Sequence, residues 1–363
     1  MRWVAPSPAL PAAAPCLPSN NNCAICFHDG RLFLAWRTAE IHFASANAAI
    51  NVVSSTDQGR TWDFELRVAL GADVREPSFV SIGGKLTFTC FEGGTNPAAF
   101  EPRNVWHVTR TSLGVWGQPV RGADPHEVPW EVKVRKGRAW MTSYRGNHYG
   151  TGPSQIDVSF KTSTDGTTWT HVDPQRPVIY SGGVSEVGWE FDEAGALWAV
   201  TRNEDGDATG WGSHLATAPA TDLARWQFPA QTDPERYDSP RMIRHGDDLY
   251  LIGRRDVGGP FDLRLRGLSF DVQKWLYLGT YSARPKGTSL YRIDRQARRV
   301  VRVMDLPGCG DTSFPSVWRV GAHEFLIANY TSPLNDPNRT WISGQLSPQG
   351  TQVYLATLTF VPR

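Results

Sequence analysis

One pattern recurs six times along this chain and constrains its fold more than any other feature. It is a short apolar strand, a polar turn, and a second apolar strand ending in a charged residue or a tyrosine. The second strands are Arg31–Arg37, Lys85–Glu92, Arg138–Arg145, Ala196–Arg202, Leu249–Arg254 and Glu324–Tyr330. Their turns fall at Gly30, Gly84, Gly137, Gly195, Asp248 and Ala322, at intervals of 54, 53, 58, 53 and 74 residues. Tryptophan repeats in phase: Trp62, Trp116, Trp169 and Trp226 follow the first four glycines by 32, 32, 32 and 31 residues. A sustained period of this length marks an array in which each repeat is one supersecondary unit. No helical periodicity of useful length interrupts the series. The 34 glycines, 26 prolines and 15 tryptophans supply the turns and large side chains of an all-β chain.

Two of the segments before these tryptophans share a signature. Ser55, Asp57, Gly59 and Thr61 precede Trp62, and Ser163, Asp165, Gly166 and Thr168 precede Trp169. The pattern resembles the Asp box, the hairpin signature of the sialidase-like (BNR-repeat) β-propellers. Degenerate copies stand at Ser112–Trp116 and Thr221–Trp226. The fifth unit carries only Ser269–Trp275 and Asp294–Arg299, with an extra segment near 256–286. In such a hairpin Asp and Ser bind the turn backbone, Gly takes the tight conformation and Trp packs between blades. The resemblance implies an all-β fold, a six-bladed β-propeller of four-stranded antiparallel blades covering residues 1–363 as one domain. Ring closure should pair Arg2, Trp3 and Val4 with the last blade, beside Gln352–Phe360. Asp57 and Asp165 should then be structural, on outer turns.

Propeller geometry selects candidate residues. The starts of the first strands and the ends of the second strands meet around the central channel at one face. This gathers Arg75, Glu76, Glu127, Glu186, Asp238 and Asp311 with Arg37, Tyr144, Arg145, Arg202, Arg254 and Tyr330. His42 lies close by in sequence. Carboxylates can divide acid and base or nucleophile work, and guanidinium groups suit an anionic or polyhydroxylated ligand. The expected catalytic residues are Glu186, Asp238, Asp311 and Tyr330, with Asp238 or Asp311 as proton donor. The others are expected to bind substrate. Glu186 and Arg202 should be neighbours, because antiparallel pairing returns the chain to the same end.

The resemblance carries over to some of these positions. Glu186 and Arg202 resemble the family's activating glutamate and second arginine. Arg37 resembles an additional pocket arginine of the first blade, and Arg284 or Lys286 loosely resembles the third arginine of the triad. Three positions depart. The first triad arginine falls on Asn21 or Asn22. The stretch expected to hold the acid aspartate, Ser45–Asn47, has none, and Glu40 and His42 are nearest. The nucleophilic tyrosine position holds Phe314, with Asp311 and Tyr330 close by. Strict sialidase activity is therefore not expected.

Lys and Arg total 37 against 36 Asp and Glu, for a net charge of +1, so no global basic field draws nucleic acid. No apolar run approaches the roughly 20 residues that span a bilayer, so no membrane partner is expected. Prolines at 6, 8, 11 and 15 interrupt any signal-peptide core, which points to the cytoplasm. Cys23 and Cys26 form a lone CxxC, read as strand residues rather than a zinc site; neither metal nor cofactor is expected. The leading function is a glycoside hydrolase acting on a terminal, acidic sugar. The alternatives are a non-catalytic propeller binding glycan or protein, and lyase or cyclase chemistry on a small anionic metabolite.

Overall fold

The structure, a computed structural model, describes residues 1–122, 124–265 and 267–361. Six antiparallel sheets follow one another along the chain as the blades of a propeller. Blade one shows the plan: Ser19–His28 lines the channel, then Arg31–Ala39, Ala49–Ser55 and Asp63–Val68 step outward. Its second strand reads as an unbroken apolar run because both faces are covered. Leu32, Leu34 and Trp36 pack in one interblade core with Leu355 and Tyr330 of blade six. The alternate residues Phe33 and Ala35 pack in another with Phe79 and Phe88 of blade two. Strand alternation thus sends neighbouring side chains to opposite interfaces.

The ring closes as expected. Arg2–Ala5 forms the outermost strand of blade six, pairing Arg2 with Leu355 and Trp3 with Tyr354. Blade four is thinner than the others. It has strands Val184–Phe191, Leu197–Asn203 and Leu215–Ala218, with its outer position reduced to a bridge between Thr217 and Gln227.

The turns at Asp57 and Asp165 join third strands to outer ones, away from the channel. The Asp57 carboxylate accepts from the Arg60 and Thr61 N–H groups at 2.8 and 2.9 Å, and Gly59 N–H donates to Ser55 Oγ at 2.7 Å. Asp165 accepts from Thr167 and Thr168 N–H in the same way, at 2.8 and 2.7 Å. The following tryptophans differ. Trp62 is buried against Val4 and Leu355, between blades six and one. Trp169 is half-buried, with no hydrogen-bond partner for its indole N–H.

Two helices correct the sequence reading. Helix α1, Phe270–Ala283, stands between the second and third strands of blade five, and helix α2, Trp341–Gln345, precedes the third strand of blade six. Ser269 is not part of a hairpin turn. It caps α1, its Oγ accepting from Val272 N–H at 3.4 Å. The helix was hidden because its apolar periodicity is inverted. Its buried positions are Lys274, Tyr277 and Tyr281, while Val272, Trp275 and Leu276 face outward.

Candidate active site

The channel-facing strands of blades one to five each break register near their first residues. The shifts fall at Asn21/Cys23, Arg75/Ser78, Pro129/Val132, Val184/Val187 and Asp238/Arg241. A bulge bends its strand and re-aims a side chain. Asn22, Glu76 and Ser239 occupy these bulges with φ of 47°, 51° and 51°. Such left-handed backbone in residues other than glycine is costly, and it gathers where a side chain must be presented. Here the bulges turn Asn22, Glu76, Glu186 and Ser239 toward one cavity of about 430 Å³, to which all six blades and both helices contribute.

Glu76 and Glu186 are two of the carboxyls lining this cavity, beside Asp73, Glu101 and Glu204. Both side chains are buried. Glu186 is stabilised as an anion at both oxygens. Arg202 Nη1 donates to Oε1 at 2.6 Å and Ser239 N–H to Oε2 at 2.8 Å. Burial raises its carboxyl above the ordinary value, and Arg202 offsets only part of that rise. Among the described residues Glu76 has only the Asn22 amide as hydrogen-bond donor, at 3.0 Å. Burial, and then the charge of Glu186, push Glu76 up to about 8. Two carboxyls sharing a low-dielectric site do not both ionise, and the less stabilised one keeps the proton. At neutral pH that is Glu76.

Around them stands a layer of ion pairs. Arg202 also reaches Glu204 Oε1 at 2.6 Å and Asp238 Oδ2 at 3.3 Å. Arg236 Nε holds Asp238 Oδ1 at 2.7 Å. Burial alone would raise Asp238, but Arg236 and Arg202 outweigh it and hold the carboxylate well below its ordinary range. Across the cavity Asp311 accepts from Tyr330 Oη and pairs with His42 Nδ1, both at 2.8 Å. His42 and Tyr330 outweigh the burial of Asp311 and hold it low as well. Burial keeps His42 below its ordinary value and, with Asp311 beside it, lifts the Tyr330 hydroxyl well above its own. Asp238 and Asp311 are thus both held as carboxylates, the form that has no proton to give.

The predicted residues His42, Arg75, Glu76, Tyr144, Glu186, Arg202, Arg254 and Tyr330 line the cavity. Glu186 and Arg202 are neighbours, as their strand pairing requires. Asp238 and Asp311 lie behind the wall, fully buried. Three predicted residues are elsewhere. Arg37 is buried behind the wall on Asp73, with Nε at 2.9 Å from its carboxylate. Glu127 bonds Ser143 and Lys161 away from the cavity, and Arg145 is exposed. Arg284 and Lys286 pair with Asp256, also outside the cavity lining. Glu40 is exposed and held by Ser45 and Asn47.

Sequence reasoning missed Arg236, Tyr281 and Trp341. They lie before a strand or on the helices, where no strand-end rule reaches them. It named Glu76 without the bulge that presents it. The signal was present: Pro77 and Pro240 follow the bulged Glu76 and Ser239. Proline has no N–H for a ladder, so inside a channel strand it marks a break in pairing.

No family model matches this chain, and no curated protein matches it. Solved structures do. A protein of unknown function from Dyadobacter fermentans DSM 18053 is 15% identical, with a TM-score of 0.57 over 93% of this chain and 94% of its own. Trypanosoma rangeli sialidase is 13% identical, with a TM-score of 0.60 over 93% of this chain. The match covers 55% of the trypanosomal enzyme, so this chain spans about half its length. A Hadza microbial sialidase is 12% identical, with a TM-score of 0.57 over 94% of this chain and 66% of that one. At these identities the likeness is one of fold: the chain is a six-bladed propeller similar to those of solved sialidases.

Proposed function

We propose that the cavity is the active site of a glycoside hydrolase that removes a terminal sugar, with Glu76 as general acid and Glu186 as its ionised partner. The observation that carries this is the asymmetry of the pair. One carboxyl is kept protonated near neutral pH, and the other is held by a guanidinium and a backbone N–H. Glycoside hydrolysis needs that division: a proton for the leaving oxygen and negative charge opposite it. Arg202 and Ser239 fix the Glu186 carboxylate in place. Asp238 holds Arg202 and Arg236, so it positions the machinery without touching substrate. The fold likeness to sialidases supports this reading and leaves the sugar open.

A panel of chromogenic aryl glycosides tests it. At least one should be turned over at neutral pH, and Glu76→Gln should lower kcat by about 10²–10⁴-fold for an aglycone that needs protonation. An aryl sialoside should not be a substrate, since Asn21 or Asn22, and Phe314, stand where the resemblance calls for an arginine and a tyrosine. If Glu76→Gln keeps full activity on a glycoside that the protein hydrolyses, the assignment of the acid is wrong.

A further inference from the structure

We propose that the sugar ring accepted by this cavity is uncharged, and that the cavity arginines hold the site's own carboxylates instead of a carboxylate on the ligand. The inference rests on the reading of the cavity as a sugar site, and it replaces the acidic sugar expected from the sequence. It follows from where each guanidinium is already committed. Arg75 gives Nε to Asp73 at 2.5 Å and Nη2 to the His42 carbonyl at 2.6 Å. Arg202 spreads its three nitrogens over Glu186, Glu204 and Asp238. Arg254 gives Nε and Nη2 to the Thr312 and Ser313 carbonyls at 2.6 and 3.2 Å, and Nη1 to the Tyr281 hydroxyl at 3.1 Å. Arg236 gives Nε to Asp238, and its plane lies over the Tyr281 and Phe261 rings at 4.3 and 4.9 Å.

A ligand carboxylate binds guanidinium through two parallel N–H donors. Arg75, Arg202 and Arg254 show no such pair; Arg236 has Nη1 on the Glu204 carbonyl at 3.4 Å, and its Nη2, without a partner among the described residues, is enclosed. At Arg75, Arg202 or Arg236 an incoming carboxylate would have to displace a buried one and leave it without a partner, which is strongly unfavourable, and at Arg254 it would have to displace two backbone carbonyls and the Tyr281 hydroxyl. The charges also cancel. In and behind the cavity wall Arg37, Arg75, Arg202, Arg236 and Arg254 face Asp73, Glu186, Glu204, Asp238 and Asp311, Arg241 has Glu131 beside it, and Glu76 carries a proton. What remains unspent is acceptor capacity. An ionised carboxylate has about four lone-pair sites, and Glu186, with one donor on each oxygen, retains room for more. Open acceptor sites suit sugar hydroxyls, which can donate to them, and disfavour a carboxylate on the sugar, which only accepts.

The test is binding, read by calorimetry on the whole protein with pairs that differ only in charge. The pairs are glucose and glucuronic acid, galactose and galacturonic acid, and N-acetylneuraminic acid and its methyl ester. In at least one pair the uncharged member should bind at least about tenfold more tightly. Asp73→Asn, or Glu204→Gln if the first variant does not fold, frees guanidinium donors and should narrow that gap by about tenfold. Equal or tighter binding of the acid member by the unmodified protein overturns the proposal, and so does the absence of binding by every member. Turnover separates this from the catalytic reading. Uncharged sugars that bind while no glycoside is cleaved would sink the hydrolase and spare this inference. Cleavage of an acidic glycoside with no uncharged substrate would do the reverse.

Discussion

At the scale of single residues the decisive quantity is the proton on Glu76. Its carboxyl titrates near 4.5 in an unfolded chain and at about 8 in the folded one. The native state therefore binds this proton more tightly than the unfolded state does. The resulting stabilisation is whole below about pH 4.5, shrinks as pH rises, and is lost above about pH 8. Glu76→Gln keeps the shape and an acceptor for Asn22 but cannot ionise. Its unfolding free energy, from denaturant midpoints across that range, should lack the decline that Glu76 gives the unmodified protein. Parallel pH curves for the two proteins would show that Glu76 titrates as an ordinary surface glutamate. This property was not legible in the sequence. Strand-end geometry placed Glu76 and Glu186 at the channel, but their inequality comes from the three-dimensional company each keeps. Ser239 N–H and Arg202 converge on Glu186 from two blades, while among the described residues only Asn22 donates a hydrogen bond to Glu76.

At the scale of elements, legibility follows local periodicity. Every blade was visible because each strand pair repeats its pattern within some dozen residues of its turn. Helix α1 was not, because what it buries is Lys274 and two tyrosines instead of an apolar stripe. Lys274 Nζ donates to the Gly150 carbonyl at 2.9 Å and to Ser154 Oγ at 2.8 Å, and it lies 3.4 Å from the Asp205 carboxylate. One lysine thus pins α1 onto the loops of blades three and four, over the cavity. Lys274→Met leaves Asp205 without its cation and should cost about 3–5 kcal/mol, as removal of one partner of a buried pair does. Denaturation measures the loss, and limited proteolysis should cut first near α1. The repeated tryptophans look equivalent in sequence and are not equivalent in the fold. Trp62→Ala should cost about 3–5 kcal/mol, because it opens a cavity between blades six and one. Trp169→Ala should cost clearly less, since that ring is half in solvent. Equal losses would mean that both rings seal blade interfaces.

At the scale of the whole molecule, the site exists only while the ring is closed. Asn22, Glu76, Tyr144, Glu186, Ser239 and Tyr330 come one from each blade, and no pair of neighbouring blades holds the cavity by itself. Closure depends on the strand Arg2–Ala5, whose Val4 and Ala5 are buried in the core shared by blades six and one. Without it, the strand Gln352–Thr359 would present an open edge, the template on which chains self-associate. Trp62 would lose part of the surface it packs against. Removal of residues 1–5 should therefore act far from the cut. The melting temperature should fall by more than about 5 °C, the size expected for a loss of a few kcal/mol in a domain this large. Sugar binding at the cavity should weaken in the same variant, although none of the removed residues touches it. A substitution confined to the exposed Trp3 ring, Trp3→Ala, keeps the strand backbone and should leave binding intact. If the truncated protein melts and binds like the full chain, blade six holds its place without the strand, and closure must be credited to the interblade cores alone.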